Sequence, residues 1–436
     1  MIGHRSFVRA SGLALLLASR AFAAAGPSPS AAAPTVVTAP LTLREVVVAA
    51  LRHHPELAAF EPRLRAQQAR TRMAGLDPAP QLSFDLANAL GSGETSGVNA
   101  VEATLALSRV IELGGKRNAR MAVGAAGTGL VNAEFQVREL DVLAEVTRRF
   151  IIVAERQEQL ALAVRGRDLA ERTVATVERR VASARSPHAE LDRARIAMDR
   201  ARLDEQRAAA QLDTARIELA ATWGADRTAL DGRRFDAVAA DLHALPEPGI
   251  YEDFATRLAG NPDLLRLATE SRLREAELRL ARTARRADLT VALGVRRLEA
   301  SNDEALVASV AMPLFASRRA IPAIEEAQAH HDLAGAQYRA AEVRLRTVLY
   351  GLHRSLHQEV AMARTVEREL LPRAEEALRE TRYAYERGRY SFLEMVDAQR
   401  EFLDLQAVLI DACVQAHLLR TEIERLTLEP LNRGTP

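Results

Sequence analysis

The 436 residues contain one cysteine, one lysine and only 4% aromatic side chains. The single Cys413 excludes an internal disulfide and a cysteine-based zinc site. Its place in a late helical pattern reads as a small buried apolar residue. With so few aromatics, and only 22 glycines and 17 prolines, a large aromatic-packed β core is disfavoured. An excess of one charge is missing too: 59 basic against 58 acidic residues leave +1. No global basic field therefore points to nucleic acid. Lys116 is the only lysine, so almost every cation is arginine, a bias expected of a GC-rich coding sequence. Beyond the N-terminus no 18 consecutive residues are apolar, so no membrane-spanning helix is expected there. No phosphate-cradling or dinucleotide-binding glycine loop is present. Neither an enzyme nor an energy-coupling ATPase is expected, and no cofactor.

What is present begins with a processing signal over 1–23. Arg5 and Arg9 precede the apolar run Leu13 to Ala18, and Ala21-Phe22-Ala23 supplies a small-x-small cleavage site. That order fits a secretory signal peptide. No cysteine follows for a lipid anchor. Residues 24–40, rich in Ala, Pro, Ser and Thr, read as a flexible linker.

The rest reads as one unit written twice, with a first repeat over 41–232, a second over 233–429 and a tail over 430–436. His54-Pro55-Glu56-Leu57 resembles Asn261-Pro262-Asp263-Leu264, a shift of 261 − 54 = 207. Ser186 to Arg195 resembles Ser391 to Arg400, a shift of 391 − 186 = 205, which sets Asp192 opposite Asp397. Each half predicts helix, two strands, long helix, tight turn, long helix. In the first, a helix over Thr42 to Leu76 is stopped by Asp77-Pro78-Ala79-Pro80. Strands follow at about 81–90 and 100–111, then long helices at about 117–182 and 187–223. In the second, strands at about 287–297 and 304–315 precede helices at about 318–388 and 391–428, with Pro372 expected to kink or break the former. The strands alternate with period two, and Leu82, Phe84, Leu105, Leu289, Val291 and Val310 fall on apolar faces. The long helices carry seams stepping by threes and fours, among them Leu143, Val146, Phe150, Val153, Gln157, Leu160 and Val164, as in helices packed side by side.

Four apolar-faced strands flanked by rods have no obvious apolar partner in one chain. Four cannot close a barrel, and an open edge is not tolerated in lipid. Three copies would bring about twelve strands, within the range that closes. The competing reading is a small soluble sheet capped by helices.

At this point the residues resemble a family. The repeated plan, the stretch Leu107 to Arg117 with Glu112-Leu113-Gly114-Gly115-Lys116-Arg117, and the run Tyr385, Gly388, Tyr390 to Arg400 resemble the TolC-like outer membrane efflux proteins, most of all their heavy-metal branch. The resemblance implies a mainly α protein with a small β part. It would be a protomer of a trimeric channel-tunnel, with a 12-stranded barrel in the outer membrane of a Gram-negative bacterium and an α-helical barrel in the periplasm. A periplasmic adaptor and an inner-membrane proton-driven pump are the implied partners, and passive efflux of toxic solutes such as heavy-metal cations the implied function. It also implies tip turns that contact the adaptor, at Arg185 and Ser186 and at Gly388, Arg389, Tyr390 and Ser391. Ala184-Arg185-Ser186 lacks the family's usual glycine. Drug efflux or protein secretion through the same duct stays open, as does a pore-less periplasmic scaffold or adaptor.

Glu394 and Asp397 stand three apart on one helix face. Beside the tip motif they are candidates, with Asp192 and Tyr385, for a gate at the periplasmic mouth; an ordinary solvated charged face is the competing reading. Among ten histidines no metal motif stands out. His353 and His357, four apart with only Glu359 near, read as exposed coiled-coil residues because two ligands make an incomplete site.

Overall fold

The structure, a computed structural model, describes residues 40–225, 229–230 and 233–428. The expected signal peptide, nearly all of the linker and the tail over 430–436 lie outside the described residues. In chain order the elements are α1 (Leu43–His53), α2 (Pro55–Ala58), α3 (Phe60–Ala74), β1 (Gln81–Ala87), β2 (Glu102–Ile111), α4 (Lys116–Ala182), α5 (His188–Ala221), β3 (Ala229–Leu230), β4 (Arg233–Arg234), α6 (Tyr251–Arg257), α7 (Pro262–Thr283), β5 (Leu289–Leu298), β6 (Asp303–Ala311), α8 (Ala316–Arg319), α9 (Ile321–Thr365), α10 (Leu371–Glu386) and α11 (Phe392–Thr427).

The single helix expected over Thr42 to Leu76 is instead three. Thr42 starts the first with a capping box: its hydroxyl accepts from Glu45 N–H at 3.4 Å, and the Glu45 carboxylate accepts from Thr42 N–H at 2.9 Å. His54 then turns extended, because the residue before a proline is pushed out of the helical region, and its Nδ1 accepts from Glu56 N–H at 3.2 Å. Asn261 caps α7 in the same way, accepting from Asp263 N–H at 2.9 Å with Pro262 in the first turn. The matched Pro-containing tetrapeptides are thus helix starts in both halves.

Pro372 does not break its helix. A π-helical turn over Val366–Leu370 lies just before it and joins α9 to α10. The widened turn accommodates the missing donor and the ring without ending the rod. Pro322, in the first turn of α9, instead marks a boundary after the short α8.

At 67 residues α4 is about 100 Å long at 1.5 Å per residue. It forms one antiparallel hairpin with α5; α9, α10 and α11 form the other. By length and composition α11 is apolar enough to cross a bilayer, which the search for unbroken apolar runs missed. It packs instead against α4, α9 and α10, and its apolar positions Leu409, Ala412, Ala416, Ile423 and Leu426 are buried in the rods.

The segment between α5 and α6, unread in the sequence, is largely without regular structure, yet it packs Trp223, Phe235, Val238 and Leu242 into the main core with Val146, Phe150, Leu219 and Cys413. Its backbone groups need partners. Leu41 N–H donates to Ala237 O at 3.0 Å, and Ala239 N–H to Leu41 O at 2.8 Å. Gln157, the one polar member of its seam, accepts from Val238 N–H at 2.7 Å and donates to Val238 O at 3.2 Å. His417 Nε2 lies 3.1 Å from Leu242 O and His353 Nε2 3.2 Å from Gly249 O. His353 is therefore 7% exposed, not an exposed coil residue, while His357 is exposed. The burial of His353 follows from this pinning role and from its packing on Tyr251 and Phe254.

Candidate functional site

Three regions concentrate the residues singled out above: the sheet, the junction below it, and the tip. The four long strands form one antiparallel sheet in the order β1-β2-β5-β6. Register sets Phe84 beside Leu105, Leu105 beside Val295 and Val295 beside Leu306, so one apolar row crosses the whole sheet. A second row runs Leu82, Leu107, Leu293, Ala308, and Val291 pairs with Val310 on the same face. Phe84 is 67% and Leu306 73% exposed; Leu289 and Val291 are half-buried. The opposite face is polar. Arg296 donates to Thr104 Oγ1 and to Glu102 Oε2, each at 3.0 Å, and Asn88 donates to Glu102 Oε1 at 3.1 Å. A Cβ on Gly294, in the middle of β5, would fall 2.5 Å from Leu105 O, so this position of the strand admits only glycine. The outer edges of β1 and β6 have no strand partner among the described residues.

Below the sheet, the Glu-Leu-Gly-Gly-Lys-Arg stretch ties three elements together. Gly114 and Gly115 both take left-handed φ, 79° and 75°, which turns the strand into α4. Lys116 Nζ donates to Asp288 Oδ1 at 2.7 Å, and Leu113 N–H donates to the same oxygen at 3.1 Å. Burial works against the charged carboxylate, yet the Lys116 ammonium and the Leu113 N–H hold Asp288 below its usual range. That contribution is present above the ordinary carboxylate pKa and is lost as pH falls through the depressed one. Arg117 donates to Gly75 O at 2.6 Å; Arg120 donates to Ala74 O at 3.2 Å and Leu76 O at 3.1 Å and pairs with Glu112 through both nitrogens. The two arginines thereby cap the orphan carbonyls at the end of α3.

At the far end, each hairpin turns through the same motif. Ala184 N–H donates to Val181 O and Arg185 N–H to Arg180 O; Gly388 N–H donates to Tyr385 O and Arg389 N–H to Ala384 O. Ala184 (φ 56°) occupies the left-handed position that Gly388 (φ 74°) occupies in the second turn. The turns therefore correspond at 388 − 184 = 204, one residue off the shift of 205 read from side-chain likeness. In this register Asp192 stands opposite Val396, and Asp397 opposite Arg193.

The two turns are joined by Arg180, which sequence reasoning missed. Its guanidinium donates to Ser186 Oγ at 3.0 Å and Arg185 O at 3.3 Å in its own turn, and to Tyr385 O at 2.6 Å and Glu386 O at 3.2 Å at the end of α10. It also lies 4.5 Å from the centre of the Tyr385 ring. Tyr385 is 1% exposed, and its hydroxyl donates to Glu190 Oε2 on α5 at 3.0 Å. Burial, with the Glu190 carboxylate beside it, raises the Tyr385 pKa and keeps it a donor. In the described chain this tyrosine is a tie between hairpins rather than a surface residue. Around it Val177, Leu191, Phe392 and Met395 make a small tip core.

Glu394 and Asp397 are exposed, as are Asp192, Arg185, Arg389, Tyr390 and Ser391. Glu394 has a local duty: its carboxylate accepts from Ser391 N–H at 2.7 Å and Ser391 Oγ at 2.8 Å, completing a capping box on α11. Those bonds, first from the backbone and then from the hydroxyl, hold Glu394 below the usual carboxylate range. The signal was legible as Ser-x-x-Glu before an apolar run. No group of three metal-ligating side chains occurs among the described residues.

Comparison with known proteins agrees with this layout. The family profile described as outer membrane efflux protein matches residues 46–225. The cobalt-zinc-cadmium resistance protein CzcC of Cupriavidus metallidurans is 28% identical over 419 residues, 95% of this chain and 97% of that protein. The fold is that of solved channels at lower identity. VceC, an outer membrane protein from Vibrio cholerae, aligns with TM-score 0.70 at 17% identity over 88% of this chain and 95% of that one; CusC aligns with TM-score 0.67 at 17% identity over 88% and 91%. Over residues 46–225 the chain is similar to outer membrane efflux proteins, over almost its whole length it is similar to CzcC, and its fold is that of solved outer membrane channels.

Proposed function

We propose that the chain is one third of a closed outer-membrane duct, the exit of a tripartite efflux system that passes heavy-metal cations from a periplasmic adaptor and inner-membrane pump to the exterior. The observation that carries this reading is the sheet: a continuous apolar face, a polar face behind it, and two unpaired edges. In lipid an unpaired edge is costly, and three such sheets joined edge to edge make a 12-stranded barrel that leaves none. The apolar rows then face lipid, and Glu102, Thr104 and Arg296 line the lumen. The metal reading rests on the likeness to CzcC, whose name assigns it to cobalt, zinc and cadmium resistance.

Cysteines placed on the two edges, Ser83→Cys on β1 with Ser309→Cys on β6, test the barrel. Native Cys413 is buried and its thiol is pushed up to about 11, by burial first and then by Glu367 and Asp241, so it stays silent. Oxidation of the detergent-extracted outer membrane should yield covalent dimers and trimers. Leu105→Arg should reduce trimer yield, at a cost of about 2–4 kcal/mol near the bilayer midplane. A stable water-soluble monomer without cross-links would refute the duct. With its adaptor and pump supplied, loss of the chain should lower cobalt, zinc and cadmium tolerance; unchanged tolerance removes the metal assignment and leaves the duct standing.

A further inference from the structure

Near the tip, α4 and α10 both pack on or beside α11, and all three line a cleft of about 390 Å³. Four arginines reach into it, Arg172 and Arg179 from α4 and Arg379 and Arg382 from α10, against one carboxylate, Glu386. The local acids of α4 do not balance them. Glu171 and Glu178 are turned to α5, where they pair with Arg202 at 3.0 Å and Arg195 at 2.9 Å. Arg379 pairs with Glu376, and Arg179 donates to Thr176 Oγ1 at 3.2 Å. Arg172 and Arg382 make no ion pair within the described residues. Three elements of the lining, Thr173, Gln399 and Met395, are buried; Gln399 Nε2 donates to Thr173 Oγ1 at 2.9 Å, so the floor is polar and ordered.

Guanidiniums that converge with too few counter-charges repel one another, and the planar fork of arginine matches the oxygens of phosphate and carboxylate groups in pairs. The volume lies in the range of small-molecule sites. We propose that this cleft is a binding site for a small multivalent oxyanion of phosphate type. Once bound, the anion joins α4 to α10 across the floor and adds a further tie between the hairpins beside those made by Arg180, Tyr385 and Gln399. The site stands on the protomer alone and does not depend on the duct reading.

Pyrophosphate is a suitable probe, titrated into the full-length protein in detergent at constant ionic strength made up with chloride. Calorimetry should show saturable binding at one site per chain, and the unfolding midpoint should rise with pyrophosphate. Arg172→Ala combined with Arg382→Ala should weaken binding at least tenfold, with the helical circular dichroism retained. Arg172→Lys with Arg382→Lys keeps the charge, removes the forks and should also weaken it. Arg207→Ala, on the exposed side of α5, should change nothing. Binding no different from chloride, or equal binding by the double alanine variant, overturns the site. An oligoglutamate peptide that binds more tightly than pyrophosphate, and only with Arg172 and Arg382 intact, assigns the cleft to an acidic protein partner and overturns the small-anion reading.

Discussion

Arg180 places one cation against the carbonyl end of α10, where the backbone dipoles favour positive charge, and against the turn that follows α4. It donates two hydrogen bonds to the end of α10 and two to Arg185 O and Ser186 Oγ in the turn, and covers the face of Tyr385. Hydrogen bonds from a charged donor are worth about 1.5–3 kcal/mol each when an unpaired buried acceptor is left behind, though partial exposure here lowers that. Arg180→Ala is expected to destabilise the tip by about 2 kcal/mol and Tyr385→Phe by about 1 kcal/mol. Because the two share one network, the double variant should lose less than the sum. Faster amide exchange confined to the two turns is the readout. Strict additivity, or exchange unchanged at the turns, would remove Arg180 from its role. Nothing in the sequence singles out Arg180: its acceptors on the other hairpin lie 205 and 206 residues away, and arginine is the chain's dominant cation. Tyr385 and Gly388 were legible because they stand in a run that resembles a known motif. Glu394 was legible as a carboxylate near the tip, but its capping duty went unread although the Ser-x-x-Glu spacing was there.

Period-two alternation made the strands readable as elements, and the apolar and polar faces follow from it because register leaves no freedom once one face must be apolar. The tip turn of the first half was harder, since Ala184 hides a position where glycine is the usual residue. A left-handed alanine is strained by about 1–2 kcal/mol relative to its right-handed state. Glycine relieves that strain and loses part of the gain to its greater freedom in the unfolded chain. Ala184→Gly should therefore stabilise the hairpin by about 0.5–1 kcal/mol, and Gly388→Ala should destabilise the other by a similar amount. Urea unfolding followed by circular dichroism checks both; a destabilising Ala184→Gly would show that Ala184 is held by packing of its methyl group. What the pattern could not supply were features set by tertiary contact. The π turn before Pro372 keeps a helix running where local chemistry predicts a break. The segment from α5 to α6 carries no period at all, because Gln157, His353 and His417 on other elements satisfy its backbone.

At the scale of the molecule the rods converge on a tip that bears both signs of charge: Glu394 and Asp397 on α11, with Arg387 and Arg389 in the turn before them. We propose that the two acids line the periplasmic mouth of the trimer, so that three copies place six carboxylates on one ring. Two such charges about 6 Å apart repel by roughly 3 kcal/mol at an effective dielectric of 20, so a closed mouth must hold bound cations, protons or arginine contacts to offset the repulsion. The test has to separate charge from capping, since an alanine at 394 would also remove the box on Ser391. Glutamine keeps the box and removes the charge. Glu394→Gln with Asp397→Asn should therefore leave stability nearly unchanged, lower cation selectivity in planar bilayers and relieve block by divalent ions. Asp192→Asn, in the turn register opposite Val396 rather than Asp397, should have the smaller effect. A double variant that conducts and blocks like the parent protein would place Glu394 and Asp397 on the outer, solvated face, with capping as the whole of what Glu394 does.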